Sequence, residues 1–397
     1  MKNLGERVVI LSAVRTPVGR FGGGFKDTNV VSLGVAASQE AIRRAGILPS
    51  QVDEAIFGQA RQAGNRPNPA RQVLIRSGIP ADKPAFTVNK ACASGMEAIH
   101  LACQSLLLGE SKIILAGGME NMSQIPYLLD GARWGYRLGD GVVVDAMYRD
   151  GLFCPLAEMI MGETAELLAE KYHISRKEQD EYAYDSQMKA KVAMEAVKFA
   201  AEIVPFKSGE KDGKETIISA DEHPRPDTTL EKLAKLPPVF KKGGTVTAGN
   251  SSGLTDGAAA IILTTASYAK EVGLAPLAQI LGFSSAGVDP KEMGLGPVPA
   301  TLKILKNLNL TLGDLDLIEI NEAFAAQVLA VERELVWDKA KRNIKGGAIA
   351  LGHPIGCSGA RITVTLLHNL IQENKEFGLA TLCVSGGQGM SLVFRRL

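Results

Sequence analysis

The chain has 397 residues, 46% hydrophobic and 22% charged, a composition that builds two or three globular units and excludes a disordered or fibrous chain. Forty-four Lys and Arg balance 43 Asp and Glu, which argues against a binder of nucleic acid or other polyanions. No run approaches the roughly 20 apolar residues of a membrane span. Five scattered cysteines without a C-x-x-C pair point to free thiols in a reducing, cytoplasmic setting, with no zinc or other metal site.

In chain order, RVVILSAVRTPVG reads as a β-branched strand entering a Pro/Gly turn, its apolar run too short for a secretory leader. VDEAIFGQA, from Val52, reads as a second strand. VNKACASGMEAIHLACQSLLLG reads as a strand end, a turn and a helix, with Met96, Ile99 and Leu106 on the apolar side and Gly109 to end it. KIILAGGME follows as another strand. Residues 121–249 break the pattern with a turn-rich opening, a long helical stretch and a charged, Pro-bearing close, and read as an insertion of the kind that binds ligands or forms oligomer contacts.

The remainder repeats the beginning. LAQILGFSSAGVDP parallels the first strand and turn, LDLIEINEAFA parallels VDEAIFGQA with Asn321 opposite Gly58, and GCSGARITVTLLHNL parallels the Cys92 helix with Ser358 and Gly359 opposite Ser94 and Gly95. ATLCVSGGQG parallels KIILAGGME, pairing Gly386 and Gly387 with Gly117 and Gly118. Four matches in one order, at offsets of about 263–270 residues, predict two similar α/β halves with helices covering sheets. The first half is residues 1–120 plus 250–271, the insertion 121–249, and the second half 272–397.

Three reactive side chains stand out. Cys92 lies at a strand-to-helix turn among Ala91, Ala93, Ser94 and Gly95, where a helix N-terminus favours thiolate and small neighbours leave sulfur approachable. His353 lies in GGAIALGHPIGCSGA, a rigid Gly/Pro loop before a helix, and histidine is the natural base near neutral pH. Cys383 closes an apolar strand just before a glycine turn, at the edge where α/β sheets meet ligands. Taken one at a time, each also fits a structural role: a buried thiol, a turn cap, a core cysteine. Asn321-Glu322 ends a strand and equally fits a helix N-cap. Cys103 reads as core and Cys357 as helix-start packing. GGGF at Gly22–Phe25 lacks the third glycine of a dinucleotide fingerprint and no P-loop motif occurs.

Together VNKACASGMEAI, TVTAGNSSGLTDGAAA, NEAFAAQ, GGAIALGHPIGCSGAR and LCVSGGQG resemble the thiolase family along essentially the whole chain, most closely its acetyl-CoA C-acetyltransferases. The resemblance implies a five-layer αβαβα fold of duplicated halves, each with a five-stranded sheet, and an inserted loop domain. It implies that Cys92 is the acylated nucleophile, His353 its base and Cys383 the second acid/base. Asn321 would hold a water that forms one oxyanion site with His353, and the backbone N–H groups of Cys92 and Ser385 would form another. Met161, Arg225, Leu236, Phe240, Ser252, Met293 and Phe324 match positions along the channel for coenzyme A, a co-substrate and not a permanent cofactor. The implied activity interconverts two acetyl-CoA with acetoacetyl-CoA plus CoA. The implied assembly is a homotetramer, using residues 121–140.

The chain departs from the family pattern at Ile160, where short-chain members carry histidine, at Ser385, where the turn carries glycine, and at Lys232, which meets a CoA phosphate or is simply solvated. Ile160 keeps a broader 3-ketoacyl-CoA thiolase as the rival reading. A decarboxylating ketoacyl synthase has no use for Cys383, and a non-catalytic acyl-CoA or lipid carrier has no use for the whole set.

Overall fold

The computed structural model describes residues 5–211 and 214–397. Strands β1 Val8–Arg15, β2 Glu54–Gly58, β3 Ala85–Val88, β4 Ile113–Asn121 and β5 Thr255–Thr265 belong to the first half. β6 Ala278–Gly287, β7 Leu317–Ile320, β8 Phe377–Val384 and β9 Gln388–Arg396 belong to the second. Their order across the sheet is β3-β2-β4-β5-β1-β6-β9-β8-β7. Pairing is parallel between β3, β2 and β4 and between β7 and β8, and antiparallel elsewhere.

The duplication is therefore visible as mirrored topology, with three differences from the sequence expectation. The halves are joined edge to edge through two residue pairs, Val9 with Gln279 and Ile10 with Ala278, so the hydrogen bonding is continuous. The second half has four strands where five are expected: the counterpart of β3 shrinks to one parallel bridge between Arg342 and Ile318. The alignment of glycine pairs also fails. Asp53 accepts from the N–H groups of Lys112 and Ile113, and Asp316 accepts from those of Glu376 and Phe377. That shared device aligns Ile113 with Phe377, and hence Met119 with Cys383. Gly117 and Gly118 lie inside β4, whereas Gly386 and Gly387 turn β8 into β9 at φ +87° and +82°.

Helices α1 Val30–Arg44, α2 Pro69–Arg76 and α3 Ser94–Leu108 serve the first half. Asn29 caps α1 by accepting from the Val31 N–H, and Gly109 ends α3 at φ +76°. α4 Met161–Lys171, α5 Arg176–Glu195 and α6 Leu230–Ala234 lie in the insertion. Ser175 and Glu178 form a reciprocal cap at the start of α5. α7 Ala266–Glu271 leads to the second half, with α8 Pro297–Leu308, α9 Ala325–Glu334, α10 Ala348–Leu351 and α11 Ile355–Gln372.

α3 and α11 meet at the centre. A Cβ on Gly95 would sit 2.8 Å from the Ala360 nitrogen, and one on Gly359 2.6 Å from the Met96 nitrogen. The two contacts are the same contact repeated in each half, which demands glycine at both places. α3 is long and apolar enough to cross a bilayer by composition, but its apolarity is that of a core helix. Every residue of α11 from Ile355 to Leu370 is buried.

The insertion is bolted to both halves. Arg15 of β1 pairs with Glu202 at 2.7 Å and bidentately with Asp221 at 2.7 and 2.9 Å, all buried. Glu322, after β7, accepts from Tyr182, Ser186, Asn343 and the Ile349 N–H. Removing one partner from such a network leaves an uncompensated buried charge, a loss of roughly 3–5 kcal/mol.

Candidate active site

Cys92 stands between β3 and α3, two residues before the helix starts. The turn is tight enough to hold Ala91 at φ +46°, a region an alanine rarely visits. Ser94 braces it, its hydroxyl accepting from the Lys90 N–H at 2.8 Å and donating to the Ala91 carbonyl at 2.6 Å. Cys92 is half-buried, while Cys103, Cys154, Cys357 and Cys383 are buried. Burial pushes the Cys92 thiol up, and the Arg61 guanidinium and the N–H groups of Ser385 and Cys92 itself pull it back down. Cys103 and Cys357 lie in the central core cluster, where burial pushes the Cys357 thiol up to about 12.

His353 sits in the loop between α10 and α11. Gly352 takes φ +100°, and a Cβ there would fall 2.3 Å from Thr255, so the loop is pressed onto β5. Its imidazole Nδ1 lies 2.5 Å from the Ser358 hydroxyl, which itself donates to the Pro354 carbonyl at 3.0 Å. Burial drives the His353 pKa down to about 3, and Arg361 adds to the fall. Among the described residues no carboxylate is hydrogen-bonded to the ring.

Cys383 is next to last in β8, across from Gly389. Burial and the neighbouring Cys92 raise its pKa well above the usual thiol range. Asn321 is fully buried, and neither atom of its side-chain amide has a protein hydrogen-bond partner among the described residues. It does not cap a helix: α9 begins four residues later, without a side-chain cap. An amide that is buried and unpaired costs roughly 1–3 kcal/mol, which marks it as a group held for something other than packing.

One cavity of about 530 Å³ brings Cys92, His353, Cys383 and Ser385 together. Met161, Arg225, Phe240, Ser252, Met293 and Phe324 line the same cavity, as does Ile160. Phe240 and Phe324 pack edge to face at 5.9 Å, and a Cβ on Gly162 would strike the Phe240 ring. Leu236 does not line this cavity. It lines an adjoining one of about 180 Å³, joined to the first through His223, Arg225 and Ala248. Lys232 borders that outer cavity, where Asp227 holds its ammonium at 2.6 Å. Both side chains of this pair are largely exposed.

Several residues here went unnoticed in the sequence. Arg61 lines the cavity with its guanidinium hydrogen-bonded to the carbonyls of Ala60 and Gly151. His223 anchors Nδ1 on the Ala350 carbonyl at 2.8 Å, and burial lowers its pKa. Glu120, ending β4, accepts from the N–H groups of Ala60, Arg61 and Gly356 and so ties the Cys92 side of the cavity to the start of α11. Burial pushes its pKa up to about 7. None of the three sits in a motif that the reactive side chains mark. The site as a whole offers a half-buried thiol, a neutral imidazole, a second thiol and backbone N–H donors in an apolar tunnel, the equipment of acyl transfer through a covalent intermediate.

Residues 8–267 match the family model described as "Thiolase, N-terminal domain" and residues 274–396 match "Thiolase, C-terminal domain". The acetyl-CoA acetyltransferase of Escherichia coli (strain K12) is 53% identical over 99% of this chain and 100% of its own. That of Cupriavidus necator is 50% identical over 98% and 99%. Among solved structures, the Bacillus anthracis acetyl-CoA acetyltransferase superposes with a TM-score of 0.96 at 49% identity, covering 99% of each chain. Human mitochondrial 3-ketoacyl-CoA thiolase in complex with CoA superposes with a TM-score of 0.95 at 43% identity, covering 99% of this chain and 98% of that one.

Proposed function

Because the chain belongs to the thiolase family, matched by its models in both halves, we propose that it interconverts two acetyl-CoA with acetoacetyl-CoA and CoA. The observation that carries this reading is the single cavity shared by Cys92, His353, Cys383 and the Ser385 turn. In the degradative direction, His353 takes the thiol proton of Cys92 as sulfur attacks the thioester-bearing ketone. The carbon–carbon bond breaks, and Cys383 delivers a proton to the departing α-carbon, releasing acetyl-CoA. CoA then takes the acetyl group from Cys92, with Cys383 accepting the proton of the incoming thiol and His353 returning its proton to the departing Cys92 sulfur. Condensation runs the same steps in reverse. Two oxyanion sites serve these steps: a water held by Asn321 together with His353, and the N–H groups of Cys92 and Ser385. Each such donor is worth roughly 3–4 kcal/mol. A serine at position 385 keeps the donor that a glycine would supply.

CoA is a co-substrate in this scheme. Its pantetheine suits the tunnel between Phe240, Phe324, Met161 and Met293, with Ser252 as a polar anchor and Arg225 and Leu236 at the outer cavity. A second copy of the chain suits the segment 121–140, where Trp134 is 86% and Leu138 99% exposed, and we propose the tetramer contact there. The thiols are suited to a reducing, cytoplasmic setting.

A second reading has one specific support. Ile160 lines the cavity, and an aliphatic residue there favours longer acyl chains and a broader 3-ketoacyl-CoA thiolase. CoA-dependent thiolysis of 3-ketoacyl-CoA substrates from C4 to C10 decides between them. Activity confined to C4 and lost in Cys92→Ala supports the acetoacetyl-CoA reading. Comparable rates at C6 to C10 replace it with the broader one, and no thiolysis at any length overturns both.

A further inference from the structure

Resting on the reading in which His353 is the base for Cys92, the geometry points to a further residue for this reaction. We propose that Ser358 is the positioning residue that fixes the His353 tautomer, holding the proton on Nδ1 and leaving Nε2 as the free base.

The Ser358 hydroxyl has one hydrogen, and the Pro354 carbonyl, an acceptor only that also takes the N–H groups of Cys357 and Ser358, lies 3.0 Å from the hydroxyl oxygen. With that hydrogen directed at the Pro354 carbonyl, the 2.5 Å approach of His353 Nδ1 to the same oxygen makes Nδ1 the donor. In a neutral imidazole only one nitrogen carries hydrogen, so Nε2 is left with its lone pair. The hydrogen bond that His353 makes with its ring to a described residue is through Nδ1, and the ring borders the cavity that contains Cys92. In the first step the thiol proton of Cys92 moves to Nε2, while Nδ1–H stays bonded to Ser358.

The partner is a hydroxyl and not a carboxylate, and this matters. A carboxylate behind the ring would stabilise imidazolium and favour a resting ion pair with the thiolate. A serine fixes orientation without that charge. The resting pair is therefore a neutral thiol beside a neutral imidazole, and the proton moves only when a thioester occupies the site.

The first half contains an internal comparison. Ser94 occupies the equivalent place on α3, and its hydroxyl likewise donates to a backbone carbonyl one turn earlier, that of Ala91. There the oxygen accepts from the backbone N–H of Lys90. In the second half the same serine accepts from a side chain. One helix-start brace is thus used twice, once to hold a turn and once to hold a base.

The test is nitrogen-15 NMR of the whole protein with labelled histidine, which has five imidazoles, the His353 signal being assigned by its loss in His353→Asn. The expected spectrum of the wild type shows hydrogen on Nδ1 of His353 and none on Nε2. Ser358→Ala should scramble that tautomer and lower kcat about 10- to 100-fold, with KM for CoA within about twofold, and Ser358→Cys, a weaker acceptor, should recover part of the loss. Hydrogen on Nε2 in the wild type overturns the proposal, as does a Ser358→Ala enzyme with unchanged kcat. The wild-type spectrum decides even if the alanine variant fails to fold. Because that readout needs no turnover, its failure is distinct from failure of the acyl-enzyme reading, which shows as activity surviving in Cys92→Ala.

Discussion

The two halves of this molecule share a frame and divide the chemistry. At the start of α3 the first half places Cys92; at the matching place on α11 the second half has Gly356. Where the second half has His353, Asn321 and Cys383, the first has Asn89, Gly58 and Met119. The shared frame is in the bonds: Asp53 and Asp316 pin equivalent strand starts, and Gly95 and Gly359 make equivalent crossings. The lesson is that the crossing of α3 and α11 fixes where two helix starts come together, and side chains that differ between the halves turn that meeting point into a site. Symmetry supplies the placement and departures from symmetry supply the function.

The largest way to break this comparison is to empty the one nucleophile. Cys92→Ala should lower kcat for thiolysis by on the order of 10⁴–10⁶-fold, measured by CoA-dependent loss of acetoacetyl-CoA. Next comes the crossing. Gly359→Ala places a Cβ 2.6 Å from a backbone nitrogen, and Gly95→Ala does the same at 2.8 Å. Each should cost about 3 kcal/mol or more, and thermal melts should show both falling together. One variant melting like the wild type would show that the crossing is not equally demanding in the two halves.

A smaller test uses pH. Burial holds His353 neutral, with its pKa down to about 3 from the ordinary 6.5. The unfolded chain binds a proton below about 6.5 that the folded chain refuses, so this group lowers stability by about 1.4 kcal/mol per pH unit as pH falls from there toward 3. Asn89, its counterpart, carries no such penalty. His353→Asn should therefore bring the denaturant midpoints at pH 7 and pH 5 closer together, and an undiminished gap would assign the acid sensitivity elsewhere.

Two residues of the insertion sharpen the picture with lesser effects. Ile160→His should narrow chain-length preference by about 10-fold, within the range set by the loss of a methylene-sized apolar contact, in thiolysis rates compared across C4 to C10. Lys232→Ala should change KM for CoA by less than about threefold, because Asp227 already pairs with this exposed ammonium. A tenfold rise would restore a phosphate contact.

The duplication, the helix ends and the three reactive residues were legible because each leaves a local trace: a repeated string, a glycine after a helix, a reactive side chain among small neighbours. The edge-to-edge joining of the sheets left none, since two residue pairs between β1 and β6 depend on how the halves dock. The missing fifth strand was hidden for the same reason, because a lone bridge at Arg342 has no periodicity. Arg61 and His223 are ordinary polar residues whose place at the tunnel is set by backbone carbonyls from Gly151 and Ala350, far along the chain. The ion pair of Lys232 with Asp227, five residues away, was not foreseen because it forms in a turn whose geometry the sequence does not display. The paired glycines misled because one pair serves close packing inside a strand and the other a reversal of direction.

The position of β5 has a consequence for how the protein is made. This strand, wholly buried, lies between β1 and β4, yet it is synthesised after the entire insertion. A ribosome that has finished Asn121 must add 144 more residues before Thr265 exists. At roughly 5–20 residues per second that takes roughly 7–30 s. Throughout that interval the two apolar strands Val8–Arg15 and Ile113–Asn121 stand ready with unpaired edges, and nothing in the nascent chain can close the gap. The completion of the first half waits for a strand made only after the whole insertion, which makes this interval the moment of greatest need for a chaperone.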